Sequence, residues 1–362
     1  MRASVVERVG APFVTVEADL DRAIGREVVV DVRASGLCHS DLTMAQHDVG
    51  QPMPVLLGHE IAGVVVETGP DARSFAVGDH VVGCLIPYCG ECTACRADRV
   101  LQCERPWATM RERGAVARVT LDGRPITQAF GLGGFAERVL VHENQLVGVP
   151  AEVPFAQACV LGCSVITGAG TVVNAARVKE GEIVVVVGAG GVGLNAIAAA
   201  RRAGADRVIA VDISADKLAM ATRFGATDVV DSSSSDPVDA VRGISRRGAH
   251  AVLDFVGLGQ VSAQSLSMTR TGGGLYLVGI LDPEAVLPIR TYDLVNSRTH
   301  IQGVAMGDSV PRRDIPALAH LYLDGRLDLD ALITRRIALD ELDGAWAILR
   351  EPDVARVVIT SF

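Results

Sequence analysis

The chain has no block of Lys or Arg, no apolar run of membrane-spanning length, no internal repeat and no low-complexity tract beyond the serines at 232–235. Each absence removes a class of function. With a net charge of −9 and no clustered basic footprint, nucleic acid and anionic membrane are excluded as partners. Without a long apolar run no spanning helix is expected. At the N-terminus Glu7 arrives before the apolar core of a signal peptide can form, so a cytoplasmic protein is expected. Its 362 residues, 49% hydrophobic and 21% charged, describe a globular chain of about two domains with substantial cores. Such cores need no disulfide framework and the cytoplasm is reducing, so eight cysteines point to metal instead.

The most specific pattern is Cys89, Cys92, Cys95 and Cys103, spaced C-x2-C-x2-C-x7-C in a stretch with little to bury. Four thiolates on a short lobe close a tetrahedral shell around Zn²⁺ and leave no open position, which makes the site structural. An iron–sulfur cluster and a nucleic-acid-binding zinc ribbon are the rivals. The acidic balance disfavours the ribbon, and the dinucleotide signature below disfavours the cluster.

Upstream, the run at 28–33 reads as a strand ending at Gly36, followed by Leu37-Cys38-His39-Ser40-Asp41. A thiol, an imidazole, a hydroxyl and a carboxylate at a strand end are groups a site would present, although Cys38 alone also suits an inert buried thiol. Twenty residues on, Gly58-His59-Glu60 sets a histidine beside a carboxylate, with glycines following at 63 and 69. That pairing suits a metal ligand with its tuning group but is weak alone. Short strands near 61–67 and 77–82, a hairpin at Asp122-Gly123 and a strand at 135–141 give this part a mostly β character. The arginines between 104 and 135 read as solvated, or as contacts for an anionic substrate group. Residues 147–154 read as a linker and 156–171 as a helix carrying Cys159 and Cys163, while Cys84 and Cys159 look like core thiols.

The character then changes. Glu182-Ile183-Val184-Val185-Val186-Val187 is the continuous β-branched run of a doubly covered parallel strand, and it enters Gly188-Ala189-Gly190-Gly191-Val192-Gly193. This is G-x-G-x-x-G before a helical stretch, with a second strand ending at Asp212. The glycines make the tight turn, room for a pyrophosphate and close helix packing. Asp212 accepts from ribose hydroxyls and repels a 2′-phosphate, so NAD rather than NADP is expected, with Lys217 within reach of the ribose. Val278 and Ile280, within the further α/β stretch at 274–280, are expected to contact the cofactor.

Cys38, Gly58-His59-Glu60 with Gly63 and Gly69, the four-cysteine lobe, Cys163 and the Gly188–Gly193 fingerprint together resemble the zinc-dependent alcohol dehydrogenases of the medium-chain dehydrogenase/reductase superfamily, in order and over essentially the whole chain. The loop kept between Cys103 and Phe135 is similar to the long-chain, usually dimeric branch with class I and thiol-adduct formaldehyde dehydrogenases. The resemblance implies an α/β protein: a GroES-like mostly-β catalytic domain at 1–164 with a zinc lobe at about 89–103, a Rossmann coenzyme domain with a doubly wound parallel sheet at 165–303, and a return to the catalytic domain at 304–362.

It also implies two Zn²⁺ per chain, the catalytic one on Cys38, His59 and Cys163, with Asp41 orienting His59 and Glu60 tuning the metal. Ser40 would start the proton relay, His39 and Arg356 would hold the pyrophosphate, and Thr167 would touch the nicotinamide. One departure is Thr43, which stands where many members carry the relay histidine, leaving water or His47 as alternatives. The expected reaction is NAD-dependent oxidation of a primary aliphatic, allylic or aryl alcohol by a homodimer, or a tetramer. Val49, Leu85, Ala108 and Ile280 are candidate apolar substrate contacts. A thiol-adduct formaldehyde dehydrogenase ranks second, and a non-catalytic member of the superfamily is the remaining alternative.

Overall fold

Val28-Val29-Val30-Asp31-Val32 builds the eleven-residue strand Glu27–Leu37, because β-branched side chains suit a pleated and largely buried ribbon. The computed structural model describes residues 1–280 and 284–362. This strand pairs antiparallel with Glu60–Thr68 on one edge, and with Arg138–His142 and Arg356–Ser361 on the other. His80–Gly83, Leu146–Gly148 and Ile333–Ala338 complete a seven-stranded sheet. The strand does not stop at Gly36 as the sequence suggests. Gly36 continues the ladder opposite Glu60 and Val358, and a side chain there would collide with the Glu60 carboxylate. The glycine permits close approach and the strand delivers Cys38 at its end.

The chain divides into two compact units, Met1–Cys163 with Val310–Phe362, and Ser164–Ser309. The C-terminal segment joins the first unit because Val357, Val358 and Ile359 pair with Leu37, Gly36 and Ser35. A second sheet of four strands, including Arg2–Val6 and Phe13–Glu17, packs Phe13, Leu57, Phe135 and Trp346 into one core. The expected hairpin is present: Val119–Leu121 pairs with Arg124–Pro125 across Asp122 and Gly123, both at positive φ. The stretch read as a linker is partly strand, since Leu146–Gly148 pairs with His80–Gly83.

The first unit also has a polar interior that ties its loops down. Glu27 receives Arg111 and Arg118, with Arg111 also reaching Asp21 at 2.6 Å. These two arginines were expected in solvent, but they are drawn inward by a carboxylate more than eighty residues away in sequence. Glu143, Asn144 and Gln145 are three consecutive buried polar residues reaching different places. Glu143 accepts from Arg26 and from the Arg73 and Ser74 amides, Asn144 donates to Tyr88 O beside the four-cysteine lobe, and Gln145 donates to Phe130 O.

In the second unit the strands Ile183–Val187, Arg207–Asp212, Asp228–Asp231, Ala249–Asp254, Thr269–Leu277 and His300–Gly303 form one parallel sheet, ordered third, second, first, fourth, fifth, sixth. This is the dinucleotide-binding arrangement, whose ligand site lies at the reversal beside the first strand.

Burial pushes the Glu143 carboxyl up, but Arg26 and the Arg73 and Ser74 amides overcome it and hold the group at about 2, against an ordinary 4.5. A depressed folded value stabilises fully above 4.5 and is lost as pH falls toward 2. Glu143→Gln should therefore lower the urea midpoint at pH 7, with the gap to the unmodified protein closing below pH 4.5. A gap independent of pH would show that charge plays no part.

Candidate active site and metal centres

Cys38, His59, Glu60 and Cys163 come from three places in the first unit, yet their donor atoms lie within 4.8 Å of one another and all four residues are buried. Cys38 caps the helix His39–Gln46, directly after the long strand. His59 precedes Glu60–Thr68 and follows Gly58, whose φ of 93° admits no ordinary side chain without strain. Cys163 interrupts what the sequence reads as one helix: Phe155–Cys159 and a 3-10 turn to Gly162 end there, at φ −139° and ψ −75°, before Ser164–Gly170 begins. The break frees its thiol from a helical direction.

Asp41 holds two of these stretches together. One carboxylate oxygen accepts from Gly58 N and faces His59 Nδ1, each at 3.0 Å, and the other accepts from Cys38 N at 3.3 Å. With Nδ1 engaged, the imidazole presents Nε2, a buried nitrogen with no hydrogen-bond partner. An orphaned buried nitrogen beside two thiols is the donor set of an open zinc site. Arg356, itself buried, pairs with Glu60 at 3.1 Å and donates to Leu37 O. Its reading as a pyrophosphate contact therefore concerns a guanidinium already committed to Glu60.

The electrostatics match. A hydrogen bond from Cys163 holds the Cys38 thiol well below its ordinary value against burial, and Cys163 is correspondingly raised by Cys38. Burial disfavours charge on His59, but Asp41 outweighs it and raises the imidazole. Burial lifts Glu60 to about 7 despite Arg356.

The lobe residues Cys89, Cys92, Cys95 and Cys103 also bring their sulfurs within 4.8 Å of one another. Backbone amides point at them: Cys89 N to Cys103 Sγ at 3.2 Å, Cys92 N to Cys89 Sγ at 3.4 Å and Cys95 N to Cys92 Sγ at 3.5 Å. Arg105 adds its own amide to Cys103 and its guanidinium to Cys89. Amide donors lower the Cys92 thiol and, against burial, hold Cys89 at about 6, whereas burial and the neighbouring sulfurs raise Cys95 to about 12; a cation held among the four would favour the thiolate form.

In the second unit Gly188 turns at φ 91°, Gly190 caps the helix Gly191–Arg202 and faces open space, and Gly193 packs so tightly that a side chain would strike Gly188 O. The helix N-terminus there suits a phosphate. Asp212 ends its strand, accepting Ala189 N and Ser214 N, and Lys217 lies in the first turn of Ala215–Arg223. Val278 and exposed Ile280 follow Thr269–Leu277, and Thr167 donates to the Met306 sulfur.

Ser40 is exposed, with its hydroxyl 3.7 Å from Cys38 Sγ, and His39 opens the same helix. The Thr43 hydroxyl is turned back to His39 O, while His47 caps the end of that helix. Val49 and Ala108 are exposed and Leu85 half-buried. Phe130 was missed altogether: its ring lies edge-on to His59 at 5.3 Å. The cluster Phe130-Gly131-Leu132-Gly133-Gly134-Phe135 was the available signal, since Gly134 N and Phe135 N bond to Gly58 O and Leu57 O beside His59.

Two family models match the chain: the alcohol dehydrogenase GroES-like domain at residues 25–151 and the zinc-binding dehydrogenase at 191–324. An S-(hydroxymethyl)glutathione dehydrogenase of Paracoccus denitrificans is 32% identical over 99% of both chains. The chain belongs to the zinc-dependent alcohol dehydrogenase family. Among solved structures, an alcohol dehydrogenase zinc-binding domain protein of Burkholderia ambifaria is 34% identical at TM-score 0.94, covering 100% of this chain and 98% of its own. Benzyl alcohol dehydrogenase of Acinetobacter calcoaceticus is 32% identical at TM-score 0.93, covering 100% and 99%. This dehydrogenase is thus an NAD- and zinc-dependent oxidoreductase.

Because Asp41 orients His59 through Nδ1, Asp41→Ala should weaken metal binding at the Cys38 site by about 10–100-fold in chelator competition and leave the four-cysteine site alone. Equal loss at both sites would point to general unfolding.

Proposed function

We propose that the first unit oxidises a primary alcohol, aliphatic, allylic or aryl, to its aldehyde, with hydride passed reversibly to NAD⁺ held by the second unit. The observation that carries this is the buried set Cys38, His59 and Cys163, with the unpartnered His59 Nε2 among the donors. A zinc ion bound there would supply Lewis acidity that brings an alcohol hydroxyl within reach of deprotonation near neutral pH. Ser40, exposed beside Cys38, would relay the alcohol proton, its Oγ accepting that proton as its own hydroxyl proton passes to solvent. Asp41 keeps the His59 tautomer fixed, and Glu60 with Arg356 sets the charge behind the ligands. Gly188, Gly190, Gly191, Val192 and Gly193 would cradle the pyrophosphate, with Asp212 and Lys217 on the ribose.

A second reading, oxidation of a thiol adduct of formaldehyde, is favoured by the relatives named S-(hydroxymethyl)glutathione dehydrogenase. Of the loop arginines that could meet the adduct's carboxylate, Arg111 and Arg118 are bound to Glu27, while Arg113 and Arg124 remain exposed. We rank it second.

A homodimer is proposed because Ile280, Val286, Tyr292 and Val295 are each more than 70% exposed, close in sequence to the edge strand His300–Gly303. A cytoplasmic location fits thiolate sites that need reducing conditions; among the described residues no single helix is long and apolar enough to cross a membrane.

NAD⁺ reduction with benzyl and short aliphatic alcohols, without added thiol, is the expected result. Turnover of formaldehyde strictly dependent on a low-molecular-weight thiol would reverse the ranking. Cys163→Ala should fold, retain one zinc in place of two and lose turnover. Retained turnover would remove Cys163 from the ligand set.

A further inference from the structure

Phe130 is a bulky residue held in the left-handed region, at φ 54° and ψ 16°, within the short turn Ala129–Gly131. Such backbone is strained for a non-glycine residue and persists only where the surroundings enforce it. Leu132 N bonds to Ala129 O and Gln128 Nε2 to Leu132 O across the turn, and the group that holds Phe130's own carbonyl is Gln145. Its side chain is 1% exposed, and its amide Nε2 donates to Phe130 O at 2.7 Å. Gly131, at φ 73°, makes room for that amide, since a side chain there would lie 2.8 Å from Gln145 Oε1. Oε1 itself is buried with no hydrogen-bond partner. Leaving an amide oxygen unsatisfied in the interior is unfavourable, and an apolar residue of the same size would avoid it. A glutamine in this place therefore calls for a role beyond packing.

That role follows from what Phe130 touches. Its ring, 38% exposed, meets His59 edge-on with centroids 5.3 Å apart and planes at 73°. Asp41 holds the buried imidazole at Nδ1, and a single hydrogen bond there does not by itself set the rotation of the ring about that bond. A second contact on the ring sets it. We infer that Gln145 is a positioning residue for the Cys38–His59–Cys163 metal site: by locking Phe130 in the left-handed conformation it braces the His59 ring and so fixes the direction of Nε2. The inference rests on the metal-site reading of those three residues. Gln145 touches none of them and acts through Phe130.

The test is zinc affinity of the full chain, measured by equilibrium competition with a chromophoric chelator, the Cys163→Ala variant identifying the phase that belongs to this site. Gln145→Leu should weaken that phase about tenfold, the lower end of what outer groups contribute to metal sites, and leave the four-cysteine phase unchanged. Phe130→Gly removes the ring at a position where glycine is at ease, so it should fold and weaken the same phase similarly. Adding Gln145→Leu to Phe130→Gly should bring no further loss, because both changes break one linkage. Unchanged affinity in either single variant, losses that add in the double variant, or equal losses at both sites would overturn the role of Gln145. A chain holding only one zinc before mutation would instead remove the metal-site reading, and the inference with it.

Discussion

One buried carboxylate sets the geometry of the first unit's site. Asp41 accepts from the amides of Cys38 and Gly58 and from the His59 ring, so the end of one strand and the start of another meet at a single side chain. Its full burial would be unfavourable for a lone charge, and three donors offset that. The orientation of Nε2 and the placing of the Cys38 backbone beside the His59 stretch descend from this arrangement.

Around it, several loops are fastened by buried polar side chains. Glu27 draws in Arg111 and Arg118, and the Glu143–Asn144–Gln145 run reaches the turn at 73–74, the carbonyl before Cys89 and the carbonyl of Phe130. A buried hydrogen bond is directional where apolar contact is not, so it fixes where a loop stands. Asn144 and Gln145, adjacent in sequence, thereby serve the four-cysteine lobe and the His59 neighbourhood respectively. The second unit relies on the sheet itself, whose strand ends deliver Gly188 and Asp212.

What the sequence made legible was whatever depends on short spacing. The four cysteines lie within fifteen residues and the glycine fingerprint within six, so local pattern is the whole signal. Cys38, His59 and Cys163 are far apart in the chain and became readable together only through resemblance to a family. Gln145 and the Glu27 ion pairs are invisible because each is defined by a partner remote in sequence and leaves no periodicity, and Phe130 is signalled only by the glycines that follow it. Glycines mislead in both directions: Gly36 reads as a strand end although it permits close approach to Glu60, and Gly131, Gly133 and Gly134 read as part of a polar loop although they let that loop lie against Gly58.

Zinc K-edge absorption of the full-length protein at its natural metal content tests the two-site assignment most directly. With two ions per chain, one on four sulfurs and one on two sulfurs, His59 and a water or substrate oxygen, the average ion should show about three sulfurs at about 2.3 Å and about one nitrogen or oxygen at about 2.0–2.2 Å. One zinc per chain with four sulfurs and no lighter ligand would contradict the metal role of Cys38, His59 and Cys163.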